Sequence, residues 1–184
     1  MDPLTLGVLF AVGAGGAAAL ARWRLWRAPK PRPTRPAPEE RATLRTGDVL
    51  TYLGDEYWLA GELSLAREGT VALQLFSAPE RGAERWVALA PTGTTLHVLR
   101  VNEELEALGW PGVEVPLGGM VLRMVERGSC AVSPSGEVPP GWEGLGRYAL
   151  FTSMENVALV LEQGPRRLAL FGKSIPRRLV EKLG

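Results

Sequence analysis

An uncharged apolar stretch near the start of the chain limits its possible folds more than any other feature. No charged side chain occurs from Pro3 to Ala21, and residues 4–20 consist of Leu, Val, Phe, Ala, Gly and Thr alone. At about 1.5 Å per residue, a helix of about 18 residues spans roughly 27 Å, close to the hydrocarbon thickness of a bilayer. No polar stripe interrupts the stretch, as an amphipathic core helix would require. The pattern predicts one transmembrane helix within residues 1–27.

The residues that follow this stretch predict its orientation. Trp23 and Trp26 suit the headgroup region, where amphipathic rings are favoured. The neighbouring cations are Arg22, Arg24 and Arg27. Because positive residues stay on the cytoplasmic side, we expect a single-pass protein of the inner membrane, with its N-terminus outside and its C-terminal domain cytoplasmic. We expect residues 4–27 to contact membrane lipid.

A cleaved signal peptide is the competing interpretation, since Ala19-Leu20-Ala21 resembles a small-x-small cleavage site. A signal peptide carries its cations before the apolar run. This chain begins Met-Asp-Pro-Leu and places its cations after the run, so an anchor is favoured.

A basic, proline-rich segment at residues 28–43 follows the predicted anchor. Five prolines fall within the eleven positions 28–38, and they favour a polyproline II backbone. We interpret the segment as a semi-rigid spacer. The alternative is a ligand of an SH3-like domain, because Pro33 and Pro36 have the PxxP spacing beside arginines.

The net charge of +1 is divided unevenly along the chain. Residues 1–43 carry 7 Lys/Arg against 3 Asp/Glu, whereas residues 44–184 carry 14 against 17. Binding to phosphate backbones normally needs a basic surface on the folded part. The distribution therefore argues against nucleic acid as a partner of the domain at residues 44–184.

The pattern from Thr46 onward is one of short alternating runs separated by Gly, Pro and charged turns, which is typical of antiparallel strands. Val49–Leu53 and Glu56–Leu65 form a predicted hairpin about Gly54-Asp55. Further strands are predicted at residues 71–76, 86–89, 94–101, 120–126, 129–132, 148–152, 157–162 and 167–171, with a long loop at 134–146.

Two short helices complete the predicted domain, one capped by Asn102 and one that begins at Ser174. The expected fold class is mainly β, an antiparallel sandwich or partly open barrel with short helices, preceded by one transmembrane helix.

Residues suited to catalysis or metal binding are few. His97 is the single histidine and Cys130 the single cysteine. Nucleophilic catalysis needs a positioned base, and a zinc site usually needs four ligands. We therefore interpret His97 as a structural histidine and Cys130 as a packed thiol, and predict no catalytic, cofactor-binding or metal-binding residue.

Trp58 and Trp86 are the candidates for a surface that contacts an unknown protein partner. Alternation places Trp58 on the side of its strand opposite Tyr57, where an exposed indole can anchor an interface. Core packing is the ordinary alternative for a tryptophan.

Residues 47–61, which read Gly-Asp-Val-Leu-Thr-Tyr-Leu-Gly-Asp-Glu-Tyr-Trp-Leu-Ala-Gly, resemble the opening of a bacterial family of unknown function, the one numbered four-one-seven-eight. Arg85–Leu89 is similar to the basic-Trp-aliphatic strand that follows in that family. The resemblance covers about residues 44–172, and residues 71–75 depart from it because they lack the family's Trp and acidic-Tyr pair. It implies a β-rich module of unassigned activity that accompanies membrane and envelope-stress proteins.

Together these features favour a membrane-tethered, non-enzymatic binding or scaffolding module. The alternative is a domain that senses a small ligand in a barrel mouth or between sheets.

The predicted topology can be tested with a protease-cleavable tag at the C-terminus of the full-length chain. We expect protection of the tag in intact cells and cleavage in inverted membrane vesicles. Cleavage in intact cells, or a soluble product that starts near Arg22, would contradict the predicted anchor.

Overall fold

The computed structural model describes residues 44–80, 83–89 and 93–183. The predicted transmembrane segment and the proline-rich linker lie outside these ranges. No helix within the described ranges has the length and apolarity needed to cross a bilayer.

Twelve strands and one short α-helix make up the described domain. The strands are β1 Val49–Tyr52, β2 Asp55–Trp58, β3 Gly61–Arg67, β4 Thr70–Ser77, β5 Arg85–Leu89, β6 Thr95–Val101, β7 Glu114–Leu117, β8 Met120–Gly136, β9 Gly144–Ser153, β10 Asn156–Gln163, β11 Arg166–Pro176 and β12 Glu181–Leu183. The helix α1 spans Glu103–Ala107, and a 3-10 turn spans Arg177–Leu179. The prediction of a mainly β fold is confirmed.

Eight of the strands close into an antiparallel barrel. Their order around the barrel is β3, β4, β5, β6, β11, β10, β9 and β8, and β8 pairs back onto β3. Closure removes the unpaired edges that an open sheet presents. The barrel is therefore closed, where the sequence predicted a sandwich or a partly open barrel.

The long strand β8 makes this closure possible. One of its edges pairs with β9, while the other pairs first with β7 and then with β3. The closing segment includes Pro134 and Gly136, which pair with Leu63 and Gly61. The sequence predicted a loop at residues 134–146 because proline and glycine are depleted in strands. The prediction was wrong at residues 134–136 and at 144–146, where β9 has already begun.

The interior of the barrel is filled by side chains. Alternate residues of all eight strands contribute to one buried cluster, which includes Leu63, Leu75, Leu99, Leu159 and Leu170. Trp142, from the loop between β8 and β9, packs into the same cluster. Eight strands give an interior just wide enough for such packing.

Two further clusters cover the outside of the barrel. On one side α1, β7 and the start of β8 bury Leu105, Val115 and Leu122 against the outer residues of β9, β10 and β11. On another side the strands β12, β1 and β2 form a separate three-stranded sheet. That sheet packs Leu50 and Tyr57 against the outer residues of β4, β5 and β6.

The predicted strand Glu56–Leu65 is divided between these two sheets. β2 belongs to the three-stranded sheet and β3 to the barrel, with Leu59 and Ala60 between them. Tyr57 and Leu63 lie an even number of residues apart, and both are buried, although in different clusters. The predicted alternation of buried positions therefore holds on both sides of the break. The turn of the hairpin is also one residue earlier than predicted, at Leu53-Gly54, where both residues have positive φ.

The C-terminal helix predicted from Ser174 is wrong. Ile175, Leu179 and Leu183 have helical spacing, but Ser174 and Ile175 continue β11 and pair with His97 and Leu96 of β6. Long-range pairing outweighs local periodicity here. The helix capped by Asn102 is confirmed, since the Asn102 side chain accepts a hydrogen bond from the backbone N–H of Leu105 at 2.8 Å.

Candidate binding surfaces

The three-stranded sheet presents one face to solvent, which we call the outer face. It consists of Val49, Thr51, Glu56, Trp58, Glu181 and Leu183. The opposite face carries Leu50 and Tyr57 and packs on the barrel. Successive side chains of a strand point to opposite sides, so this packing directs the outer face away from the barrel.

An apolar row crosses the outer face. Val49 pairs with Trp58 on one side and with Leu183 on the other. Trp58 is 47% exposed and Leu183 is 51% exposed. Three adjacent apolar side chains at a protein surface resemble the centre of a protein interface more than isolated exposed residues do.

An acidic row lies beside the apolar row. Thr51 pairs with Glu56 on one strand and with Glu181 on the other, and both carboxylates are exposed. Neither glutamate has a salt-bridge partner among the described residues. The outer face therefore combines an exposed indole with two exposed carboxylates that could form ion pairs with a cationic ligand.

The last strand of this face, β12, is held by an ion pair. Lys182 Nζ lies 2.8 Å from Asp48 Oδ2, and the backbone N–H of Arg45 donates to the same oxygen at 2.8 Å. Burial raises the pKa of Asp48, but the hydrogen bonds from Lys182 and Arg45 outweigh it, and the pKa is lowered from its usual value. The carboxylate therefore stays charged and retains β12 beside β1.

The two predicted partner-surface tryptophans have opposite environments. Trp58 lies on the outer face, but Trp86 is only 1% exposed and packs inside the barrel. The placement of Trp86 on a partner surface is therefore wrong. Its neighbours Arg85 and Val87 are buried as well. Both sides of β5 are therefore covered, and alternation along this strand could not identify an exposed side.

A groove of about 230 Å³ lies on the other side of the β1–β2 hairpin, between the hairpin and the barrel. Its lining residues are Tyr52, Leu53, Asp55, Tyr57, Val98, Arg100, Phe171, Gly172, Lys173 and Ile175. The walls are mainly apolar, and Arg100 and Lys173 add cations on the barrel side.

Charged groups around the groove hold the hairpin against the barrel. The guanidinium of Arg85 lies 4.6 Å from the centre of the Tyr57 ring and 3.0 Å from Glu80, and it donates to the carbonyl of Glu56 at 3.0 Å. Burial and the nearby carboxylate of Asp55 raise the pKa of Tyr57, so its hydroxyl stays protonated.

At the rim of the groove, Lys173 Nζ lies 2.7 Å from Glu155 Oε1, and this hydrogen bond raises the pKa of the lysine. Arg100 is less constrained, since its nearest carboxylate, that of Glu80, lies 3.7 Å away.

Two pairs of polar side chains inside the barrel are hydrogen-bonded to each other. Nδ1 of His97 lies 2.9 Å from the Ser174 hydroxyl, and the Tyr148 hydroxyl donates to Glu126 at 2.5 Å. Burial raises the pKa of the Cys130 thiol to about 11, which keeps it protonated and unreactive. No group of three or more potential metal ligands occurs among the described residues.

The sequence could identify part of these surfaces. Pairing of Val49 with Trp58 follows from the turn at Leu53-Gly54, whereas the turn predicted at Gly54-Asp55 would pair Val49 with Ala60, so this pair was missed. Leu183 and Glu181 were assigned to a helix and missed. The groove lies between the β1–β2 hairpin and the strands β6 and β11, which are far apart in the chain and leave no local signal.

The buried imidazole of His97 predicts a pH dependence of stability. Burial lowers the pKa of His97 below 6.5, whereas the unfolded chain titrates near the usual value of about 6.5. The unfolded state therefore binds more protons below this pH, and stability present above about pH 6.5 is lost as the pH falls.

We expect His97→Gln, which does not titrate, to lose less unfolding free energy than the unsubstituted chain between pH 7.5 and 5.5. The difference should not exceed about 1.4 kcal/mol per pH unit. Urea unfolding at both pH values measures it, and equal losses in the two proteins would contradict the assignment.

No protein-family model matches this chain, and neither a curated protein nor a solved structure matches it. The resemblance of residues 44–172 to the family numbered four-one-seven-eight therefore stays a prediction. The candidate surfaces rest on geometry and charge alone.

Proposed function

We propose that this protein is a membrane-tethered, non-enzymatic binding module whose outer face contacts a protein partner. The observation that carries the proposal is the apolar row in which exposed Trp58 and Leu183 flank the half-buried Val49. Tryptophan is enriched among the residues that dominate binding energy at protein interfaces. Trp58 lies on a strand that is paired with β1, so little conformational entropy of the backbone is lost on binding.

The acidic row adds a charge preference to the proposed interface. Glu56 and Glu181 lie two residues along their strands from Trp58 and Leu183, on the same face. A partner with basic side chains beside an apolar patch complements this arrangement, and such complementarity favours the correct partner and orientation.

The tether belongs to the proposal as well. The apolar residues 4–20 and the cations that follow them support an inner-membrane anchor with the domain on the cytoplasmic side. The proline-rich residues 28–38 then hold the domain away from the bilayer. The family resemblance adds a proposed association with envelope stress.

The proposed interface can be tested by the effect of Trp58→Ala in the full-length chain. We expect recovery of the partner from a detergent extract to weaken by about 30-fold in affinity, which corresponds to a loss of about 2 kcal/mol at a dominant interface residue. Quantitative pull-down with mass spectrometry measures this change.

Leu53→Ala is the matched control for this experiment. Leu53 is an 86% exposed apolar residue at the tip of the β1–β2 hairpin, outside the outer face. Both variants should keep the unfolding midpoint, since both side chains are exposed. Equal recovery with both variants would contradict the proposed interface.

A second candidate function is the sensing of a small ligand in the groove. The groove joins apolar walls at Phe171 and Ile175 to the cations of Arg100 and Lys173. This arrangement suits a small amphipathic anion, whose apolar part would contact the walls and whose charge would lie beside Arg100. Because the barrel interior is filled, the groove is the better place for such a ligand.

Thermal-shift measurements test this second function with nucleotides, lipid headgroups and polyamines as probes. A true ligand at 100 times its Kd should stabilise the protein by about 2.7 kcal/mol. We expect an anionic probe to act and the shift to fall in Arg100→Gln. Arg123→Gln, at another exposed arginine that pairs with Glu114, should retain it. No shift with any probe, or one unchanged in Arg100→Gln, would count against the groove.

A further inference from the structure

The β1–β2 hairpin turns a carboxylate toward the groove that lies between the hairpin and the barrel. Asp55 precedes the buried Tyr57 by two residues on β2, so both side chains lie on the inner side of the hairpin. Tyr52 pairs with Asp55 across the turn and lies on the same side. All three residues line the groove. The hairpin wall of the groove is therefore aromatic and carries a negative charge.

The barrel wall of the groove carries the positive charges. On the outer side of β6 and β11, Arg100 pairs with Phe171, and Val98 pairs with Lys173. The two cations therefore lie on one diagonal of this four-residue set, and the two apolar side chains lie on the other. Ile175 continues the apolar surface along β11. Cationic and apolar groups are thus adjacent on this wall.

The carboxylate of Asp55 has no cationic partner among the residues that the structure describes. No salt bridge joins it to Arg100 or Lys173. The hydrogen bond that it accepts from the Tyr57 hydroxyl is long, at 3.4 Å. Opposite charges thus line the same groove without forming an ion pair. This arrangement leaves space for a ligand that carries both an ammonium and an acidic group.

Arg100 is the better placed of the two cations to contact a ligand. Lys173 Nζ is already held by Glu155 at 2.7 Å, whereas the carboxylate nearest to Arg100, that of Glu80, lies 3.7 Å away. Burial raises the pKa of Tyr57, and the positive charge of Arg100 partly offsets this rise, so the guanidinium lies near the hairpin wall. A guanidinium offers two parallel N–H donors to a carboxylate.

The volume of the groove limits the ligand to a small molecule. This volume is about 230 Å³, below the range of about 300–1,000 Å³ that is usual for pockets with drug-sized ligands. The ligand must therefore hold its two charged groups and its apolar group close together. An α-amino acid does so, because its ammonium, its carboxylate and its side chain are attached to one carbon.

We propose that the groove binds a free α-amino acid with an apolar side chain. The ammonium of the ligand pairs with Asp55, and its carboxylate pairs with Arg100. Its side chain contacts Val98 and Phe171. A simple anion would be repelled by Asp55, and a simple cation by Arg100, so the zwitterion complements the groove better than either. The inference rests on the second candidate function, because it names the ligand class of the same groove.

The same pairing discriminates against amino acids inside a peptide chain. A residue within a chain has neither a free ammonium nor a free carboxylate, and it would leave both charges of the groove without a partner. A site built to bind a polar group rejects ligands that lack that group, since the unpaired group of the site costs affinity. The groove would therefore respond to free amino acids and not to peptide segments.

Isothermal titration of the full-length chain in a nonionic detergent at pH 7 tests the inference with compounds of matched shape. L-Phenylalanine carries both charges, 3-phenylpropionate lacks the ammonium, and 2-phenylethylamine lacks the carboxylate. We expect L-phenylalanine to bind at least about 10-fold more tightly than either analogue, because each analogue loses one charge-assisted hydrogen bond. L-Leucine is titrated as well, as a zwitterion with a smaller apolar side chain.

Substitutions in the groove separate the roles of the two charges. Asp55→Asn should weaken the binding of L-phenylalanine by about 10-fold and leave that of 3-phenylpropionate at least as strong. Arg100→Gln should weaken the binding of both compounds and spare 2-phenylethylamine. The matched control is Glu114→Gln, which removes an exposed carboxylate on β7 and should leave every affinity unchanged. Unfolding midpoints show whether each variant is folded, and the comparison of compounds on the unsubstituted chain does not depend on the variants.

Three results would overturn the inference. The first is binding of 3-phenylpropionate as tight as that of L-phenylalanine, and the second is binding of L-phenylalanine that Asp55→Asn does not change. If binding of 3-phenylpropionate still depends on Arg100 in either case, the inference fails and the second candidate function stands. The third is the absence of binding by both zwitterions; if the anionic probes of the thermal-shift measurement also fail, both proposals fail.

Hexylphosphocholine distinguishes an amino acid from a lipid headgroup, because it joins an ammonium and a phosphate to a short apolar chain. We expect it to bind more weakly than L-phenylalanine, since its two charges are farther apart. Tighter binding that depends on Asp55 would overturn the amino acid as the ligand and identify a lipid headgroup instead.

Discussion

The pairing of β3 with the second half of β8 is the interaction on which the rest of the structure depends. It joins residues 61–66 to residues 131–136 and converts an open sheet into a closed barrel. Closure satisfies backbone groups that an edge would expose and encloses one apolar cluster. Because eight strands leave little room inside, this cluster fills the barrel, and both candidate binding surfaces lie on the outside.

The three-stranded sheet is both a cover for the barrel and a surface of its own. Its inner face buries Leu50 and Tyr57, which stabilises the outside of β4, β5 and β6. The same packing orients the β1–β2 hairpin, so that the groove lies on its inner side and Trp58 on its outer side. Stability and the presentation of both candidate surfaces thus have one physical cause.

Sequence reasoning succeeded where local pattern and burial agree. The strands near residues 71–76, 86–89 and 157–162 are short, mainly apolar runs, and Asn102 has the residue type that caps a helix. It failed where pairing with a strand far away in the chain determines the local structure. Pro134 lies in a strand because it pairs with β3, and residues 174–176 extend β11 because they pair with β6. Trp58 and Trp86 occupy similar local patterns, and the arrangement of the sheets alone exposes the first and buries the second.

The pairing of Val49 with Leu183 also determines how the domain bears mechanical load. The chain enters β1 and leaves β12 at directly opposite positions, so tension applied before β1 and after β12 pulls on the same end of one ladder. Such tension separates β12 from β1 one hydrogen bond at a time, beginning at Val49. Force applied after β12 therefore acts on this short strand first, whereas the buried Leu44 and the backbone hydrogen bond from Gly47 to Leu59 hold the chain on the other side of β1.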